Sequence, residues 1–284
     1  MLAIWLACSS PQPGLLDGSS VRVWRSADLE TWAMDEGALF VGFDTLGLSE
    51  HDGTLRLVGL DHQRRIPAWE RYVPLRVRGY EGDGETWSPG AWSVDDEDVV
   101  NFIDPQFLGD VLYFTSRSGV TGDPANNPTE IRSSPPPRVW LSGMGFADPS
   151  AVEFQGEHHL FVTARGNVEL YVGDPPVKER TFEGFAVPYA LVVDDELWLV
   201  AQGPAGDRVP YLARLVDGTW SDFQRILSEG AIRTCTSPVL HLDEAGGALL
   251  ICVEEVLWEG PGRVPGETPP GPLPGEPQQP GPPG

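Results

Sequence analysis

Apolar and polar positions alternate along most of this chain in short runs that open on glycine or aspartate. The runs are GTLRLVGL after Asp52, DVLYFTSR after Gly109, EHHLFVTAR after Gly156, ELWLVAQG after Asp195 and GALLICVEE after Gly246. A period of two predicts strands with one buried face, and the opening residues suit tight turns. A second motif, Thr or Val before an aromatic, closes other strands at Thr31-Trp32, Thr86-Trp87, Val139-Trp140, Thr181-Phe182 and Thr219-Trp220. A third heads each first-type strand: Phe43-Asp44-Thr45, Ile103-Asp104-Pro105, Ala147-Asp148-Pro149, Ala186-Val187-Pro188 and Thr236-Ser237-Pro238. No long stretch repeats at helical spacing.

Each motif occurs five times, and the aromatic markers stand 38 to 55 residues apart. That is the size of a four-stranded propeller blade. The chain starts on a third-plus-fourth strand unit, Val21 to Gly37, and ends on a first-plus-second unit, Cys235 to Glu255. The two halves complete one blade. The sequence therefore predicts an all-β, five-bladed β-propeller over residues 21–258, closed by pairing of its N- and C-terminal strands. A β-sandwich also has many short strands, but it explains neither the five-fold count nor the split blade. Residues 259–284 hold ten of the 28 prolines and no core-forming run, so they read as a disordered Pro/Gly-rich tail.

Composition narrows the function. Forty-two acidic against 19 basic residues give a formal net charge of -23. Such a field repels phosphate backbones, so nucleic acid is excluded as a partner, and neutral ligands or cations are favoured. No apolar run spans a bilayer. Of the three cysteines, Cys235 and Cys252 flank a hairpin turning near Glu244-Ala245-Gly246-Gly247. A simple register sets Cys252 opposite Pro238, so the pair reads as buried free thiols rather than a disulfide.

Ser26-Ala27-Asp28-Leu29-Glu30-Thr31-Trp32 resembles the S-x-D-L-x-x-W turn of arabinanase, β-xylosidase and invertase-type glycoside hydrolases. Ala147-Asp148-Pro149-Ser150, with Gly156 and His159-Leu160-Phe161 behind it, resembles a blade start of the same families. The resemblance covers the propeller from Val21 to Glu255. It implies a funnel on the axis with an Asp base in the first blade, a tuning Asp in the third and a Glu acid in the fourth, acting on neutral glycans. By position Asp44 matches the base and Asp148 the tuning Asp. Asp104 occupies the same place in the second blade and would touch substrate. The fourth-blade place holds Val187; the nearest Glu, Glu183, precedes Pro188 by several residues and reads as a turn residue unless the strand begins irregularly. The site is therefore expected to have kept its shape and to be degraded in its chemistry.

Other assignments compete. No cofactor is required, yet three Asp on neighbouring inner strands also suit a Ca²⁺ ion, or simply cap their own turns. Asp95-Asp96-Glu97-Asp98 and the loop from Gly122 to Asn127 read as solvated turns, and Trp69, Tyr72 and Trp92 as blade packing or sugar platforms. Arg65-Ile66-Pro67 resembles the arginine motif of sialidases, where Arg grips a carboxylate. Gly82-Asp83-Gly84-Glu85-Thr86-Trp87 resembles a degraded Asp-box, a structural turn. A sialidase-like protein and a non-catalytic glycan- or protein-binding propeller thus stand beside the hydrolase. Met1 to Ala7 followed by Cys8 resembles the lipobox of bacterial lipoproteins. It implies a signal and tether over residues 1–20, lipidation of Cys8, and export to the cell envelope as an outer-membrane lipoprotein. The membrane is then met only through that anchor, by a monomer.

Overall fold

The structure, a computed structural model, describes residues 19–36, 39–41, 43–61, 77–90, 102–117, 128–204, 207–227, 235–243 and 246–255. Among them there is no helix. Five antiparallel sheets follow one another along the chain. Blade I is β4 (Phe43–His51), β5 (Thr54–Asp61), β6 (Val77–Gly82) and β7 (Trp87–Gly90). Blade II is β8 (Phe102–Leu108), β9 (Val111–Arg117), β10 (Pro128–Ser134) and β11 (Arg138–Met144). Blade III is β12 (Phe146–Phe154), β13 (Glu157–Ala164), β14 (Asn167–Val172) and β15 (Val177–Phe182). Blade IV is β16 (Ala186–Val193), β17 (Glu196–Gln202), β18 (Pro210–Val216) and β19 (Thr219–Trp220), with β20 (Gln224–Arg225) also on β18.

Blade V closes the ring. Its inner strands, β21 (Val239–Leu242) and β22 (Ala248–Glu255), come from the chain's end; its outer strands, β1 (Ser19–Ser26) and β2 (Ala33–Met34), come from the beginning. A short β3 (Phe40–Val41) also pairs with β1. The β1–β22 register runs unbroken from Ser19 opposite Glu255 to Ser26 opposite Ala248. The split blade read from the sequence is therefore the closure of the fold.

Because strands alternate in direction, every first-to-second and third-to-fourth turn lies on one face. Five of those turns are two residues long: Asp52-Gly53, Gly109-Asp110, Gln155-Gly156, Asp194-Asp195 and Asp217-Gly218 carry the positive φ that a two-residue hairpin needs. The heads of the inner strands lie on the opposite face.

Apolar residues of adjacent sheets fill the spaces between blades. Phe154, Phe161, Leu170, Leu199, Ala213 and Trp220 pack between blades III and IV. Trp24, Leu48, Leu57, Trp198, Leu250 and Val253 belong to the largest cluster, around blade V. The aromatic markers all serve this packing: Trp32 and Trp87 lean on the blade V cluster, Trp140 packs at blades II–III, and Phe182 and Trp220 at III–IV. Their turns work as expected. Asp28 Oδ1 accepts the N–H groups of Thr31 (2.7 Å) and Glu30 (2.9 Å), and Asp83 Oδ1 those of Thr86 (2.7 Å) and Glu85 (2.9 Å). These donors hold both carboxyls below the usual range.

One expectation is corrected. Cys235 and Cys252 form a disulfide, with Cα atoms 5.1 Å apart and both residues buried. The register is as predicted, Val239 opposite Ile251, so Pro238 would face Cys252. What that register omits is the bend before it. Ser237 has φ 126, Thr236 N–H donates to Val253 O, and Cys235 N–H donates to Arg208 O. The chain turns back beside β22 and brings the two sulfurs together.

His158 sits at the blade II–III seam. Its ring stacks on Trp140 at 4.2 Å, and its Nε2 lies 2.8 Å from Tyr113 Oη. Burial, then Arg138 and His159, push its pKa down to about 4. Unfolded, it titrates near 6.5, so between those values the unfolded chain binds more protons. Its contribution is complete above about pH 6.5 and is lost as pH falls towards about 4. Thermal unfolding of the protein and of His158→Phe should show the protein losing stability over this window and the variant losing less. Equal slopes would remove His158 from the seam's pH response.

Candidate functional site

The heads of four of the five inner strands contain a bulge. In β4 the register shifts between Asp44 and Gly47, in β8 between Ile103 and Gln106, in β12 between Ala147 and Ser150, and in β16 between Ala186 and Tyr189. At each shift one residue takes the left-handed conformation: Thr45 (φ 50), Asp104 (φ 54), Asp148 (φ 49) and Val187 (φ 50). Ser237, with φ 126, holds the corresponding place in blade V. A bulge leaves one residue unpaired and re-aims it. All five residues line a single cavity on the propeller axis, together with Leu46, Pro105, Gln106, Pro149, Pro188 and Tyr189.

This placement revises the alignment of the first blade. Asp44 pairs with Leu60 as Ile103 pairs with Thr115 and Ala147 with Thr163, so Asp44 stands one residue before the bulge. The place of Asp148 is taken in blade I by Thr45. Gly47 is a second sign of the same register. A Cβ there would lie 2.1 Å from Pro105 O and 2.7 Å from Gln106 Cα, so close blade contact demands glycine two residues past the bulge.

Asp104 and Asp148 are brought together as expected. Asp148 N–H donates to Asp104 Oδ2 at 3.2 Å, and Asp104 is buried. The carboxylate of blade II thus helps to seat the bulge of blade III. The same device recurs from blade to blade. Ala151 N–H donates to Gln106 Oε1 at 2.8 Å, and Phe146 N–H to Thr129 Oγ1 at 2.8 Å. One blade on, Val187 N–H donates to Thr163 Oγ1 at 2.8 Å, Ala190 N–H to Ser150 Oγ at 2.7 Å, and Gly184 N–H to Asn167 Oδ1 at 2.9 Å. In blades III and IV, backbone donors at and beside the bulge are thus satisfied by side chains of the preceding blade.

Glu183 is exposed in the turn between β15 and β16 and does not line the cavity. Val187 alone represents blade IV at the bulge. Tyr189 was not singled out in the sequence. Its ring fills the axis, and its Oη donates to Leu48 O of blade I at 2.8 Å. The cavity that remains measures about 20 Å³, room for a water molecule. Sites that enclose organic ligands start near ~300 Å³. Among the described residues no cluster of metal-ligating groups is present. Cys8, Arg65, Trp69, Tyr72, Trp92, Asp95 to Asp98 and Gly122 to Asn127 lie outside the described residues.

Solved structures share this architecture. An exo-beta-1,3-galactanase from Phanerochaete chrysosporium, crystallised with beta-1,3-galactotriose, superposes with a TM-score of 0.52 at 13% identity, over 84% of this chain and 67% of its own. One from Clostridium thermocellum gives 0.53 at 14% identity, over 80% of this chain and 57% of its own. A GH32 beta-fructofuranosidase from Bombyx mori, in complex with sucrose, gives 0.50 at 17% identity, over 77% and 56%. The fold is that of the glycoside-hydrolase five-bladed propellers. At these identities the likeness is one of fold, and the chain spans only 56% to 67% of those proteins. No family model matches the chain, and no curated protein matches it.

The inter-blade bonds make a direct prediction. Thr163→Val removes the acceptor for Val187 N–H while keeping volume, and should cost about 1–3 kcal/mol in chemical denaturation. Thr163→Ser should restore most of it. Equal stability of Thr163→Val and the parent protein would show that the blade IV bulge is held by other means.

Proposed function

We propose that this protein is a glycoside-hydrolase-like propeller that binds neutral carbohydrate on the face carrying the heads of the inner strands, and that its hydrolytic centre is incomplete. The observation that carries the proposal is the axial set itself: Thr45, Asp104, Asp148, Val187 and Ser237. An inverting glycosidase needs a carboxyl acid on the leaving oxygen and a carboxylate base across the ring. Here Asp148 keeps the tuning position, while Val187 and Thr45 stand where acid and base are expected. Loss of a general acid alone costs about two to four decades in rate. The small axial cavity supports binding at the mouth of the funnel rather than engulfment of a sugar ring.

The strong negative charge favours a neutral glycan over an anionic one. The buried Cys235–Cys252 disulfide supports an exported protein, since such bonds persist in oxidising compartments. With Cys8 as lipid anchor, the propeller would be displayed at the bacterial envelope as a monomer. Ca²⁺ at the axial aspartates remains an alternative occupant of the small cavity.

A panel of neutral oligosaccharides and aryl glycosides, assayed for both hydrolysis and binding, tests the proposal. The expected outcome is saturable binding of one glycan class without turnover. Turnover that falls in Asp148→Asn would establish an active hydrolase and overturn it.

A further inference from the structure

Tyr189 lines two cavities. Above its ring is the small axial cavity; below it, on the tight-turn face, opens a pocket of about 570 Å³. The pocket belongs to the ends of three blades: β16 and β17 of blade IV, β21 of blade V, and Glu50 from blade I. Its volume lies in the range of small-molecule sites, and it is blind, because Tyr189 is buried and tied across the axis to Leu48 O.

The lining is mixed: Leu191, Leu240, Leu242 and the indole of Trp198 supply its apolar part, and polar atoms make up the larger share. The charged groups of the lining itself have one sign. Asp243 is engaged in its own turn, accepting Gly247 N–H at 2.7 Å. Glu50 meets His241 Nδ1 only at 3.7 Å, and its side chain is 51% exposed. Asp194 is exposed in a hairpin turn. Among the described residues no Lys or Arg lines the pocket. Arg214 lies over the Trp198 ring without joining the lining. Burial lowers the pKa of His241, against the pull of Glu50 and Asp243, so near neutral pH it adds little positive charge.

A neighbouring cavity of similar size offers a contrast. There Arg25 neutralises the site, bonding Asp35 at 3.0 Å, Glu85 at 2.9 Å and Gly84 O at 2.8 Å, while Asp28 and Asp83 hold their turns. The pocket under Tyr189 has no such internal cation. An anionic ligand is repelled. A small hard cation wants a cage of about six oxygens, which leucine walls do not supply. An ammonium carried on an apolar body matches both the walls and the two outward carboxylates.

We propose that this pocket is a binding site for a small organic cation with an apolar body, distinct from the axial site on the opposite face. The probe is benzyltrimethylammonium, with benzyl alcohol and benzoate as its neutral and anionic counterparts. Titration is followed by calorimetry and by the backbone amides of Leu240 and Leu242. The cation should saturate the protein and move those amides, bind at least about tenfold more tightly than benzyl alcohol, and outcompete benzoate entirely. The double variant Glu50→Gln, Asp194→Asn should weaken it about tenfold without changing the melting temperature. Should that variant fail to fold, Glu50→Gln alone carries the comparison, with a smaller loss in the same direction. Failure of the cation to saturate, equal binding of benzyl alcohol, amide shifts elsewhere, or full affinity in the variants would each overturn the proposal.

Discussion

The left-handed residue at the head of each inner strand governs the architecture of the site. Left-handed backbone is unfavourable for residues with a Cβ and worst for β-branched ones, yet Thr45 and Val187 both adopt it. The conformation persists because side chains of the preceding blade accept the freed N–H groups, as Thr163 does for Val187 and Asp104 for Asp148. Local strain is thus held by contacts between blades, and these in turn need the ring to close through β1 and β22. Each turn of the ring therefore delivers one side chain to the axis, and the identity of five residues decides what the axis can do.

Placement of the two faces follows from the same geometry. Strand heads share one face, where the proposed glycan contact lies. The other face is made of tight hairpins, whose need for positive φ fills it with Asp and Gly. Tyr189 separates the two along the axis. Its place two residues past the bulge is held in the other blades by Gly47, Gln106, Ser150 and Val239. Of these only Tyr189 lines both the axial cavity and the pocket beyond it.

Much of the fold was legible because its physics is local. Alternation marked the strands, the Asp turns marked the outer corners, and the split blade told how the ring closes. Asp104 and Asp148 were found for the same reason: an Asp-Pro pair at a strand head is a local signal. What failed was anything depending on register across a bulge. One extra residue moves the axial place in blade I from Asp44 to Thr45, and a bend around Ser237 pairs Cys235 with Cys252. Tyr189 carried no motif at all; only the convergence of five strands makes it a plug.

The most direct test of this account is which residue of blade I holds the axial place. Glycine adopts left-handed backbone without strain, so it is tolerated or favoured there and costs stability in ordinary strand positions. Thermal unfolding of Thr45→Gly and Asp44→Gly should give a melting temperature at or above that of the parent for Thr45→Gly and below it for Asp44→Gly. The reverse order would place Asp44 at the bulge, return a carboxylate to the axis of the first blade, and contradict the register on which this account rests.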